Sequence, residues 1–171
     1  TIVSRNIDPI KSAVITVGVI GAGEASNVIP DTATMKLTIR AFDPAVRETL
    51  HRRIGEISSG IAEAVGATAK VEYTLGYPAL INDQAMADLV LEGATDALGP
   101  DRVWTSTPMM GSEDFSYFLE QRPGCFFNVG TMNEEKGFVW GHHHPRFDMD
   151  EEGFATGIEV MTRVVLRYLN D

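Results

Sequence analysis

The sequence has little cysteine and no long apolar run. Its only cysteine is Cys125, so no disulfide can form within the chain. The thiol stands beside Phe126 in a stretch typical of a buried strand, which favours an inert core thiol over a nucleophile. No apolar stretch approaches the roughly 20 residues that span a bilayer, and the first residues show no signal-peptide pattern. We therefore expect a soluble, cytoplasmic protein.

Basic residues are also scarce. Lysine and arginine number 14 against 24 aspartates and glutamates, which gives a formal net charge of −10. Nucleic acids and anionic membranes attract basic surfaces, so neither is expected as the main partner. The 171 residues, 44% hydrophobic and 22% charged, suffice for one ordinary domain or two small ones. The composition favours an acidic globular protein that handles small molecules.

Three of the four histidines are consecutive, at His142, His143 and His144. Neutral imidazole is the commonest metal ligand, and the run lies in a loop between an apolar segment and a helix. Zinc needs three or four ligands, however, and the chain has neither an HExxH nor a CxxC motif. Spacing alone therefore favours a solvated polar loop. An expression tag is disfavoured because the run is internal.

The first half of the chain predicts one folding unit. Alternating apolar residues predict strands at 12–20, 32–42 and 69–75. The first two are expected to be antiparallel neighbours joined by a long hairpin loop. A helix is predicted between the second and third strands, from Asp43 as N-cap to Gly66. Strands with one apolar face and helices on one side form most of a ferredoxin-like unit whose opening strand is missing. Residues 1–8 would be the last turn of its first helix.

The second half predicts a different unit, after a boundary of turn-forming residues at 76–83. Its predicted elements are a helix capped by Asn82 or Asp83, a strand at 102–106, a short capped helix from Gly111, a strand at 125–131 and a terminal helix from Phe154. Helices that alternate with short apolar strands are typical of α/β architecture.

Two loops carry residues suited to binding an anion. Gly111 and Ser112 precede a predicted helix start, where backbone amides favour an anion or a developing oxyanion. Asn27, in a glycine-rich loop, and Arg40, on a polar strand face, together suit a carboxylate. Taken by pattern alone, the simpler interpretations are favoured: an ordinary N-cap, a turn asparagine and a surface arginine.

Three motifs, taken together and in order, favour the binding roles over these simpler interpretations. The stretches SNVIPD, MGSEDFS and HHPRFDMDE resemble the dinuclear zinc amidohydrolases. This group includes hippurate hydrolase, indole-acetyl-amino-acid hydrolase and N-acyl-amino-acid amidohydrolase. More distant relatives are carboxypeptidase G, aminoacylase and succinyl-diaminopimelate desuccinylase. The resemblance extends over essentially the whole chain.

The resemblance implies an α/β fold with an α+β lid. Residues 1–76 would form a partial ferredoxin-like lid, which dimerises in such enzymes, and residues 77–171 the C-terminal α/β segment of a zinc-peptidase-like catalytic domain. The activity implied is hydrolysis of the amide bond of N-acyl or N-aroyl amino acids by a metal-activated water. The cofactors implied are two divalent metal ions, with zinc favoured and manganese or cobalt as alternatives.

The resemblance also assigns roles to particular residues. His143 occupies the position of the family's last metal ligand, with His142 and His144 as its neighbours. Asn27 and Arg40 match lid residues that contact the substrate carboxylate, within one subunit or across a homodimer. Gly111 and Ser112 match the loop that holds the substrate near the metals. No catalytic residue is assigned in this chain.

The departures from the family pattern are equally informative. The chain has no first Cys/His metal motif and no Glu-Glu pair that would carry the general base. It therefore looks like a C-terminal piece of a longer enzyme, and we expect the piece alone to be inactive and to bind zinc weakly. The alternative is a non-catalytic dimerisation or small-ligand-binding module, since a one-sided sheet can associate through its exposed edge. An upstream segment with the missing ligands would discriminate between the two.

Overall fold

The computed structural model describes residues 1–170, which form two compact units. The first comprises residues 1–79 with 109–113, and the second comprises residues 80–108 with those from 114 onward. The helices and strands, in chain order, are α1 (Ile2–Asn6), β1 (Ala13–Ala22), β2 (Ala33–Ala41), α2 (Pro44–Ala64), α3 (Gln84–Leu98), α4 (Ser116–Leu119) and α5 (Glu152–Asn170). No helix within residues 1–170 is both long and apolar enough to span a bilayer.

Strands β1 and β2 form the antiparallel hairpin that the sequence predicts. Their register runs from Ala13 opposite Ala41 to Ala22 opposite Ala33. The register shifts between Val17 and Val19, at a glycine, and such a β-bulge strengthens the local twist. This is the only sheet among the described residues.

Helix α2 begins and ends where local signals predict. The Asp43 carboxylate accepts a hydrogen bond from the Ala45 N–H at 2.8 Å, and a proline occupies the first turn. At the other end, Gly66 has φ +73°. Its N–H donates to the Glu63 carbonyl at 3.1 Å, and the next N–H, of Ala67, donates to the Ala62 carbonyl at 2.9 Å. These two bonds form a Schellman motif.

The core of the first unit lies between α2 and the hairpin. Val46, Leu50 and Ile54 recur every four residues and are buried, with Leu50 fully inaccessible. Burial of one such leucine contributes about 1.5–3 kcal/mol. Ile61 and Val65 further along the helix are exposed, and the hairpin residues that pack on the core all lie at one end of the hairpin: Ala13, Ile15, Ile39 and Ala41.

The predicted strand at 69–75 is not part of a sheet. None of residues 1–170 pairs with it in a ladder, and a strand needs such a partner for its backbone groups. The segment packs instead on α2, where Tyr73 stacks on His51 with ring centroids 4.5 Å apart. The Tyr73 hydroxyl donates to the His51 carbonyl.

The second unit is built on the packing of α3 against α5. Gly93 permits a close approach, since a Cβ there would lie 2.9 Å from a methyl of Val164. Arg167 of α5 forms ion pairs with Glu92 at 2.8 Å and Asp96 at 2.7 Å on α3. Asp83 caps α3 as predicted and accepts from the Met86 N–H at 3.1 Å.

Three further predictions in this unit are wrong. Residues 102–106 and 125–131 are not strands of a sheet, for the same lack of a partner in the described chain. In the second of these segments, the Asn82 side chain takes the place of a neighbouring strand. It accepts from the Phe126 N–H at 2.8 Å and donates to the Phe126 carbonyl at 2.9 Å. The helix expected from Gly111 begins only at Ser116 and is one turn long, without a side-chain cap.

Candidate active site

The histidine run forms two consecutive turns in the second unit. The His144 N–H donates to the Gly141 carbonyl at 3.2 Å, which closes a turn across His142 and His143. The Phe147 N–H then donates to the His144 carbonyl at 2.9 Å. Pro145 occupies the first central position of this second turn, which its fixed φ suits. The histidines are thus held in ordered backbone.

His143 has an unusual backbone conformation. Its φ of +68° is the only positive value at a non-glycine among the described residues. The third position of some β-turns requires a positive φ and is usually glycine, because a Cβ there costs roughly 1–2 kcal/mol. Such strain is concentrated at functional sites. A histidine at this position is therefore a hypothesis of function with a structural basis.

The rings of the two neighbouring histidines are already engaged. His144 stacks on Trp140 with ring centroids 4.0 Å apart and planes 7° apart, and its Nδ1 accepts from the Arg146 N–H at 3.1 Å. The Arg146 guanidinium lies 4.7 Å from the Trp140 ring centroid. His142 contacts the ring of Phe147 edge-on, with centroids 4.9 Å apart.

His143, by contrast, is exposed, and its imidazole has no partner in the described part of the chain. A free imidazole suits one ligand position of a zinc-type centre. However, residues 1–170 contain no group of three or more histidine, cysteine, aspartate or glutamate side chains placed to hold a metal. These residues therefore fit one position of a metal site and do not form a complete site.

Asp150 lies at the base of this loop and is nearly buried, with 9% of its surface exposed. Its carboxylate accepts from Lys136 Nζ at 2.8 and 3.0 Å and from Asn133 Nδ2 at 2.6 Å. The hydrogen bond from Lys136, followed by that from Asn133, lowers the Asp150 pKa below its usual value. The same contact raises the pKa of Lys136.

Three of the four predicted substrate residues lie in one region of the first unit. Arg40 is half-buried at the end of β2, and its Nη1 donates to the Met110 carbonyl. This bond places the guanidinium beside the segment that carries Gly111 and Ser112, both of which are exposed. The anion-binding role expected from a capped helix start at Gly111 has no support, because no helix begins there.

Asn27 lies elsewhere in the same unit. It belongs to the loop between β1 and β2, where every residue from 23 to 32 is exposed. Residues 33–40 of β2 extend over roughly 24 Å at about 3.4 Å per residue, so Arg40 is at the opposite end of the hairpin. Within one copy of the chain, Asn27 and Arg40 do not form a single carboxylate receptor.

Sequence reasoning missed the residues that order the histidine loop. Trp140 and Arg146 stand four residues before and two residues after His144, spacings that no standard motif reports. Asp150 was hidden in a run of acidic residues. Cys125 meets the expectation of an inert thiol, since burial raises its pKa and so disfavours the reactive thiolate.

Comparison with known proteins identifies the family. Residues 6–167 match the sequence model of peptidase family M20/M25/M40. The chain belongs to this family. This membership confirms the resemblance drawn from the three sequence motifs.

Curated relatives and a solved structure extend the match. The chain is 40% identical to N-acetyl-L-cysteine deacetylase of Bacillus subtilis, over 88% of this chain and 35% of that protein. It is 34% identical to thermostable carboxypeptidase 2 of Saccharolobus solfataricus, over 99% of this chain and 42% of that protein. The crystal structure of the Bacillus subtilis YXEP protein, described as a dinuclear metal binding peptidase, superposes with a TM-score of 0.75 at 28% identity, over 92% of this chain and 42% of that chain.

These matches confirm the predicted fold class, and they also fix a limit. The chain spans about two fifths of the length of the relatives that it matches. The rest of these relatives has no counterpart in this chain. The assignment of residues 1–76 to a lid and of 77–171 to a catalytic segment stays a prediction.

Proposed function

We propose that this chain is part of a metal-dependent amidohydrolase that cleaves the amide bond of N-acyl or N-aroyl amino acids, including hippurate-like substrates. The observation that carries the proposal is the free imidazole of His143, held at φ +68° between two histidines whose rings are engaged. Membership of the peptidase family M20/M25/M40 supports hydrolysis of this general kind.

His143 would provide one ligand of a two-metal centre. Zinc is the favoured metal, and manganese or cobalt suits similar nitrogen and oxygen donors. The metals, when bound, would supply a water of lowered pKa and polarise the amide carbonyl. Residues 1–170 hold no group of three or more side chains placed to bind a metal, so we expect this chain alone to be inactive.

The chain's own contribution to substrate binding would come from the first unit. The Arg40 guanidinium would pair with the free carboxylate of the substrate, next to the exposed backbone of Gly111 and Ser112. Asn27 lies at the far end of the hairpin, so it would act on the substrate held by a second copy. Such sharing of one substrate between two copies requires a homodimer associated through the first unit. The substrate would be a small N-acyl amino acid.

A chimera tests the proposal directly. The upstream part of N-acetyl-L-cysteine deacetylase of Bacillus subtilis would be fused to this chain in place of its own matching segment. We expect the chimera to hydrolyse N-acetyl or N-benzoyl amino acids, to lose that activity with a chelator, and to lose at least about a hundred-fold in rate with His143→Ala. The 171-residue chain alone should show no hydrolysis.

Two results would count against the proposal. Metal-dependent hydrolysis by the pure 171-residue chain would show that the chain needs no further ligands. An active chimera that is indifferent to His143→Ala would remove the ligand role. If only dimerisation or ligand binding were found, the alternative of a non-catalytic module would be the better account.

A further inference from the structure

We propose that Asp150 is a positioning residue that clamps the base of the histidine loop and so holds His143 in its ligand conformation. The metal role of His143 rests on the proposed function, but the clamp itself is a property of the loop. The histidine loop is residues 139–149. It follows the turn of residues 133–138 and precedes the start of α5.

The upstream side of the loop is closed by a turn. The Asn133 N–H donates to the Phe138 carbonyl at 3.0 Å, and the Phe138 N–H donates back to the Asn133 carbonyl at 2.8 Å. This pair of bonds fixes the point at which the chain enters the loop. Lys136 lies at the tip of the same turn, so ordered backbone positions its ammonium group near Asp150.

The downstream side of the loop is tied to that turn through Asp150. Its N–H donates to the Thr131 carbonyl at 3.0 Å, and its carboxylate accepts from Asn133 and Lys136. The same carboxylate accepts from the Glu152 N–H at 3.3 Å, at the start of α5. One side chain therefore joins the entrance of the loop, its exit and the following helix.

Closing both ends limits the conformations open to the residues between them. Inside the loop, the two turns and the stack of His144 on Trp140 are contacts between residues three or four apart, and closed ends restrict the chain that carries them. Because His143 is in an unfavourable backbone region, the surrounding structure must over-determine its conformation. The carboxylate of Asp150 provides that constraint at the base of the loop.

The substitution Asp150→Asn separates the clamp from helix capping. Asparagine caps helices about as well as aspartate, so the start of α5 is preserved. Its single carbonyl oxygen has two lone pairs and cannot accept from Lys136, Asn133 and the Glu152 N–H together, and its amide has donors of its own. The neutral side chain also loses the charge-assisted bond to Lys136. Lys136→Met removes the same ion pair from the other side, at a residue that is nearly half exposed.

The test uses the 171-residue chain with Trp104→Phe, so that Trp140 is its only tryptophan. Trypsin cleavage after Arg146, within the loop, is followed by mass spectrometry. Cleavage should be about five-fold faster in Asp150→Asn and in Lys136→Met, because the loop opens more often. Trp140 emission should shift to longer wavelength in both variants while the helix content of the chain is unchanged.

Glu135→Gln is the matched control, since it removes one negative charge from the same turn at an exposed residue with no partner among those described. It should behave as the parent chain does. If Asp150→Asn matches the parent in both cleavage and emission, the clamp does not exist. Should that variant fail to fold, Lys136→Met decides the matter by the same two readouts.

A zinc titration of the parent chain separates this proposal from the proposed function. Imidazole signals of the four histidines are recorded by NMR as Zn²⁺ is added. Fast cleavage in the variants together with an unresponsive His143 ring would keep the clamp and remove the metal role. A responsive His143 ring with unchanged cleavage would keep the metal role and remove the clamp.

Discussion

His144 lies flat on Trp140, with ring planes 7° apart, while its Nδ1 accepts the backbone N–H of Arg146. The stack and the hydrogen bond together fix the ring and occupy one of its two nitrogens. His143, its predecessor in the chain, has neither contact. A run of three chemically identical residues is thus divided by packing into two structural rings and one that is free to bind.

Zinc should act on His143 before the other histidines. In a Zn²⁺ titration, the imidazole signals of His143 should move at lower concentration than those of His142 and His144, whose rings are oriented by their aromatic partners. His51, stacked on Tyr73 in the first unit, serves as an internal control and should not respond. An equal response of all three loop histidines would show that the loop is solvated and that zinc does not prefer His143.

Substitutions at His143 should report its backbone strain. Glycine relieves the positive φ, so His143→Gly should be about 1 kcal/mol more stable than His143→Ala, which keeps the Cβ. Asparagine tolerates this region better than alanine and should be intermediate. Urea unfolding of the three variants measures the differences. Equal stability of the glycine and alanine variants would mean that the turn relaxes without strain.

The Asp150 contacts should make stability depend on acid pH. The folded-state pKa of Asp150 is lowered, first by the hydrogen bond from Lys136 and then by that from Asn133. Its contribution is therefore fully present above the unfolded value, near 3.9, and is lost as pH falls through the folded value. The difference in urea midpoint between the parent and Asp150→Asn should be constant from pH 5 to 8 and should shrink below about pH 4. If the difference in urea midpoint persists below pH 4, the destabilisation by Asp150→Asn does not depend on the charge of Asp150.

Two glycine substitutions should have opposite signs. Gly93→Ala places a Cβ 2.9 Å from a stiff Val164 methyl at the contact of α3 with α5, and overpacking there should cost about 1–3 kcal/mol, partly offset by helix propensity. Gly60→Ala in α2 meets nothing within 4 Å and should stabilise by about 0.5–1 kcal/mol. Thermal unfolding compares them. Val164→Ala should reduce the penalty of Gly93→Ala, and its failure to do so would place the strain elsewhere.

Elements with local signals were predictable from the sequence. Asp43 and Gly66 bound α2 because capping bonds reach only a few residues along the chain. The β1–β2 hairpin was predictable because its alternation is regular and its strands are neighbours in sequence. The strands expected at 69–75 and 125–131 were not, because a strand exists only with a partner whose position local pattern does not report.

The candidate site divides in the same way. The sequence alone determined the family, through three motifs in order, and with it the candidate residues His143, Arg40 and Asn27. The pairing of β1 with β2 confirms that Arg40 and Asn27 lie at opposite ends of the hairpin, as the strand predicted between them implies.

Only the tertiary structure decided which histidine is free and what holds its loop. The stack of His144 on Trp140 forms across the turn between them, and the bonds from Lys136 to Asp150 join residues 14 positions apart in the chain. Helix caps and strand alternation are set by interactions between near neighbours, so the sequence displays them directly. Contacts across a closed loop depend on where both ends are anchored, and that is a property of the folded chain.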